Sequence, residues 1–430
     1  MAIRRTFATA LIAWALALGY SVRALDTASA PPPAGSSQDP KPRAEAVAPS
    51  SSNGDCFTCH GEDSAARADG SKVVVNPTLF EQSIHGGLEC IDCHQDLQKA
   101  EIPHAETLAK VDCATCHSEV MDTYNLSAHA KAREGGSKYA ASCVDCHGTH
   151  DIKPKSDPAS MTHHLKVAAT CAKCHGNAEI IAKGGIPHDV TKDFADSIHG
   201  TVLAKSGLMV APTCTDCHGG HDILKPKDPK SPVAMANVPS TCGKCHEGLA
   251  RQFKSGVHGT LLAQGKTDGP ACQTCHTAHS IPRADKPGWQ LAVIGQCGTC
   301  HADRVATFRD TFHGQVTALG ERTVAGCADC HGAHEVLPAS DPRSPIAPAN
   351  LVKTCGKCHE NANENFVKYD PHADKHNRKA NPALYYTSKF MTALLVAVFG
   401  TFGVHTTFWF GKEIRLRRER KRAVASKGKG

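Results

Sequence analysis

The 430-residue chain is poor in the side chains that normally fill a core of this size. Aromatic residues make up 5%, with 3 Trp, 6 Tyr and 13 Phe, and there are 6 Met. A core of packed rings and large aliphatics is thereby excluded, so something other than side chains has to occupy much of the interior. No cysteine stands outside a single repeated pattern, which leaves little room for a framework of disulfides. Basic and acidic residues nearly balance, 48 against 42, and the cations crowd the C-terminus, so the formal charge of +6 does not point to nucleic acid. With 40% hydrophobic and 21% charged residues, the chain is neither disordered nor mainly embedded in lipid.

What is abundant is cysteine, 22 residues, all within C-x-x-C-H. The motif occurs at Cys56-Cys59-His60, Cys90-Cys93-His94, Cys113-Cys116-His117 and Cys143-Cys146-His147. It continues at Cys171-Cys174-His175, Cys214-Cys217-His218, Cys242-Cys245-His246 and Cys272-Cys275-His276. The last three are Cys297-Cys300-His301, Cys327-Cys330-His331 and Cys355-Cys358-His359. This is the attachment pattern of haem c. Two thiols add to the two vinyl groups of one porphyrin, and the histidine that follows becomes the proximal iron ligand. A zinc site would not require histidine after the second cysteine eleven times. Eleven covalent haems over about 300 residues would supply the missing core, and without them the chain should not fold. Their propionates would also carry the net charge of the holoprotein below zero. The expected fold is mainly α with much irregular structure and little β: short helices carry the motifs in a haem-packed domain, followed by one transmembrane helix.

The two ends differ in kind. Residues 1–24 read as a signal peptide, with Arg4 and Arg5 before an apolar stretch and a small-residue cleavage site after Ala24. Residues 25–53, rich in Pro, Ala and Ser, read as a flexible linker to a haem domain over 54–380. Phe390 to Phe410 contains no acid, Lys or Arg and is long enough to cross a bilayer, so a span over 388–411 is expected. The basic residues of 412–430 place that tail in the cytoplasm and the haem domain in the periplasm. His405 lies within the span, where an ionisable group suggests function: ligation of a haem b shared with a partner subunit, or the lining of a quinone pocket.

After the first motif the chain repeats in pairs, at about 81–125, 126–185, 195–250, 255–305 and 310–365. Segments 214–246 and 327–359 share 20 of 33 residues, including C-x-D-C-H-G-x-H, D-P-x-S-P and T-C-G-K-C-H. D-P-x-S-P reads as a rigid connector. Of the 27 histidines, sixteen lie outside the motifs, and ten of these fall in register. His85, His129, His199, His258 and His313 precede the five pairs. His150, His221, His279 and His334 each follow a proximal histidine by three residues, and His104 is the nearest equivalent in the first pair. The register marks these ten as distal iron ligands, although which serves which haem is not readable. For the first haem the remaining candidates are His163, His164, His188, His372 and His376.

These motifs resemble those of the multihaem c-type cytochromes of anaerobically respiring bacteria. The tail YYTSKFMTALLVAVFGTFGVHTTFWFGKEIRLRRER is similar to the haem-to-membrane junction of cytochrome bc-type quinone oxidoreductases of metal-reducing bacteria, with His405, Trp409 and Arg415 at matching places. The resemblance implies an electron-transfer subunit beside an integral-membrane cytochrome b or quinone-linked partner, passing electrons to periplasmic or outer-membrane cytochromes. This chain has one such helix, so that cytochrome b would be a separate polypeptide. The rival expectation is a terminal reductase of nitrite, hydroxylamine or a sulfur oxyanion. It needs an iron with an open position, and the Cys56-Cys59 haem, with no in-register histidine of its own, is the candidate.

Overall fold

The computed structural model describes residues 52–427 apart from 185, 187 and 322. The leader and nearly all of the linker expected from sequence lie outside the described residues. Among the described residues there are short helices, turns and one isolated bridge, Ala66 to Lys72, with no sheet. Each helix before the last has at most twelve residues. The last, Pro382–Lys427, has 46.

The two motifs of each pair form helices for different reasons. The first motif opens a helix. In Cys143–His147 the Asp145 carboxylate accepts the Ser142 N–H at 2.7 Å, and in Cys214–His218 Asp216 accepts that of Thr213 at 2.7 Å. Asp92 and Asp329 do the same at 2.8 Å for Glu89 and Gly326. The aspartate of C-x-D-C-H is therefore a helix-starting residue that satisfies an otherwise orphaned donor. The second motif usually closes a helix, as in Val167–His175 and Pro287–Gly298.

The residue after the proximal histidine turns the chain sharply. Gly148, Gly219 and Gly332 have φ of 86°, 87° and 80° with extended ψ, a region almost confined to glycine. This turn is what swings the histidine three residues on away from its own motif. In the fourth pair the same conformation is held by Thr277, with φ 64° and ψ 172°.

Three of the helices that carry the preceding set of histidines are capped by the serine or threonine two residues earlier. Ser127, Ser197 and Thr311 accept N–H bonds from Ala130, Gly200 and Gly314 at 3.0–3.1 Å. Ser127 and Ser197 are fully buried. A Cβ on Gly200 would overlap the Phe194 carbonyl, so S-x-H-G records a close crossing of two helices.

Neighbouring repeats are joined by one recurring backbone bond. Ile84, Ala128, Ile198 and Val257, each just before an in-register histidine, donate to the carbonyls of Ile152, Ile223, Ile281 and Val336 at 2.8–2.9 Å. The D-P-x-S-P connectors are braced by side-chain amides eight and six residues on. Asn237 Nδ2 donates to Pro229 O and Ser231 O at 2.8 Å, and Asn350 Nδ2 donates to Pro342 O and Ser344 O at 2.8 Å.

The side-chain core is thin, as the composition requires. The buried apolar residues are mostly alanine and valine, and among the described residues the one core cluster is Val238, Leu262 and Ala271 with a few half-buried neighbours. The interior is instead a continuous, largely apolar cavity of about 4150 Å³. Most of the motif residues from Cys113 through His359 line it, and it is several times the size of an ordinary ligand pocket.

Candidate haem-binding array

Every motif histidine is faced by a second imidazole. His60 faces His104 with ring centres 5.8 Å apart, His94 faces His150 at 6.3 Å, and His147 faces His221 at 6.0 Å. His218 faces His279 at 6.0 Å, His276 faces His334 at 6.1 Å, and His331 faces His372 at 6.1 Å. The second motifs pair as His117 with His85 at 6.0 Å, His175 with His129 at 6.2 Å and His246 with His199 at 6.2 Å. His301 pairs with His258 at 6.3 Å and His359 with His313 at 6.0 Å.

The spacing is uniform, although the rings come from unrelated stretches of chain. A metal–nitrogen bond of about 2 Å on each side, plus half a ring's width twice over, spans about 6 Å. The donor set therefore fits one iron between each pair of rings. His94 Nδ1 is buried without a hydrogen-bond partner. Burial, reinforced by the facing imidazole, holds His129, His147, His199 and His218 below the ordinary histidine range. The same two causes act on His258, His276 and His331. A neutral imidazole is the form with a lone pair to give.

The pairing has a rule. A histidine preceding a pair faces the second motif of that same pair. A histidine following a first motif faces the first motif of the repeat before it. His104 consequently faces His60, and the ring left over faces the tenth motif, not the first. The other candidates considered for the first motif are engaged elsewhere or exposed. His164 Nε2 lies 2.8 Å from Ala211 O, His188 is 3.1 Å from Asp193, and His376 is exposed. His405 is exposed on the long helix.

All 22 cysteines are free thiols, and among the described residues no group of three or more His, Cys, Asp or Glu is arranged to hold a metal by itself. The thiols of consecutive motifs approach one another along the chain. Cys56 meets Cys90, Cys113 meets Cys143, Cys171 meets Cys214, Cys242 meets Cys272 and Cys297 meets Cys327 within hydrogen-bonding reach. Between these, Cys93 interacts with Cys116, Cys146 with Cys171, Cys217 with Cys242, Cys275 with Cys297 and Cys330 with Cys355. Spatial order thus follows sequence order, with no motif left out.

Two aromatic contacts carry no sequence signal. Trp289 stacks on His276 at 5.1 Å and 14°, and Phe366 lies 4.9 Å from the His359 ring. Only the fold brings them there.

Short helices without a sheet, cysteine pairs close together and one long apolar helix are consistent with a multihaem c-type cytochrome. Over 115 residues, 25% of this chain, the sequence is 32% identical to the cytochrome c-type protein NrfB of Escherichia coli O6:H1. The match covers 55% of that relative, so the chain spans about half its length. No family model matches the chain. No solved structure matches it.

Proposed function

We propose that the protein is an undecahaem c-type cytochrome, anchored by its C-terminal helix in the bacterial inner membrane, that carries electrons between a quinone-linked membrane partner and periplasmic or outer-membrane acceptors. The observation that carries this reading is the unbroken row of eleven facing imidazole pairs in sequence order. The two cysteines of each motif would hold one haem c, with the adjacent histidine as proximal ligand and the ten in-register histidines as distal ligands. Bound there, haem c supplies a one-electron iron couple whose potential follows axial ligation, nearby charge and exposure.

The chain's own contribution is to present neutral imidazoles from both sides and to keep neighbouring sites in contact. A second ring faces the motif histidine at every site and would leave no bound iron open, which favours conduction over a terminal reductase. This includes His60, where the reductase reading needed a gap and His104 stands instead. The long helix is exposed along its apolar stretch, which supports a bilayer around it. His405 on that helix is proposed to meet a membrane partner, as ligand to a shared haem b or at a quinone pocket.

Intact-mass measurement of the mature protein tests the first part, with an increment of eleven haems expected. Visible and EPR spectra test the second. Uniformly low-spin iron is expected, and a high-spin fraction that turns over an oxyanion would restore the reductase reading.

A further inference from the structure

The ten in-register histidines leave one motif histidine without a repeat-derived partner, and the offset pairing makes it His331. We infer that the segment between the last motif and the long helix supplies the missing axial ligand through His372. This inference rests on the haem reading above.

The geometry is specific. The His372 ring lies 6.1 Å from that of His331, the same separation as at the other sites. Its Nδ1 is 3.2 Å from Thr307 Oγ1, which leaves the other ring nitrogen for a metal. The His372 N–H donates to Asp370 Oδ1 at 2.8 Å, and Lys375 pairs with Asp310 at 2.8 Å. Residues 370–375 are thus strapped to the helix Ala302–Arg309 and the residue that ends it. Histidines that follow first motifs lie at 6° to 27° to their partners, whereas His372 lies at 46°. His376, four residues on, is exposed, and only its backbone N–H is engaged, by Asp374.

Because His372 stands ten residues before Pro382, ligation of the tenth site is tied to the segment that leads into the long helix.

The test uses the full-length, haem-loaded protein in detergent. His372→Ala is expected to keep all eleven haems by intact mass. One site in eleven should become high-spin and, when reduced, bind carbon monoxide. Added imidazole should return that site to low spin, and His376→Ala should change none of these readings. His372→Met serves if the alanine variant is not recovered: one site should show a thioether–iron charge-transfer band. A fully loaded His372→Ala protein that stays low-spin, a Met variant without the band, or a high-spin site produced by His376→Ala would each overturn the assignment. Failure of the parent reading is distinguishable, because the wild-type protein would then lack the haem mass.

Discussion

At the scale of single residues, the chain obeys local chemistry that can be read position by position. The aspartate of C-x-D-C-H starts a helix, and the glycine after the histidine reverses the chain. The serine or threonine of S-x-H caps the next helix. Thr277 breaks this grammar. It holds φ 64° and ψ 172° where three other repeats use glycine, a conformation that costs a side-chain-bearing residue about 1–3 kcal/mol. Thr277→Gly should therefore stabilise the holoprotein by about 1 kcal/mol, partly offset by the greater freedom of glycine when unfolded. Denaturant titration of the two proteins would show the midpoint rise; a fall would mean that Thr277 makes a contact worth more than its strain.

At the scale of elements, the duplicated pair yields two kinds of site. First-motif rings meet partners at 14°, 27°, 15°, 6° and 7°, and at 46° for His331. Second-motif rings meet theirs at 53°, 64°, 42° and 44°, and at 27° for His246. The two ligand sets also differ in backbone setting: His150, His221, His279 and His334 follow a positive-φ turn, whereas His129, His199, His258 and His313 sit in the first turn of a short helix. Parallel axial imidazoles split the iron d-orbitals strongly and give rhombic EPR signals, whereas crossed planes give a large maximal g value. Two low-spin populations of comparable size are expected in the oxidised holoprotein. A single homogeneous low-spin species would contradict the alternation.

At the scale of the whole molecule, charge is distributed unevenly along the row. Residues 52–112 carry eleven acidic and four basic side chains, whereas residues 113–381 carry 26 and 29. Most of the acids in the first segment are exposed, and Asp69 is held below the usual carboxylate range by its bonds from Ser71. The end of the row remote from the long helix is thus the more negative one. Cationic redox mediators should react faster than anionic ones of similar potential, with the gap closing as ionic strength rises past about 0.15 M. Stopped-flow rates at two salt concentrations measure this, and equal rates at low salt would refute the directional field.

Much of the proposed site is legible in the chain because haem attachment at C-x-x-C-H is local chemistry. The eleven C-x-x-C-H motifs are readable by spacing alone, since the thioether bonds and proximal ligand proposed for them would need only one helical turn. The ten further histidines were legible as a set, through duplication. Their partners were not, because each contact crosses from one stretch of chain to another. His104 belongs by sequence to the first pair yet faces His60, and His372 belongs to no repeat yet faces His331. Trp289 against His276 left no trace in the pattern either. Composition, helix starts, turns and the apolar terminal segment followed from the sequence because they depend on neighbours a few bonds away. Which imidazole meets which, and in what order the sites touch, was decided only when the recurring inter-repeat bonds set one unit against the next.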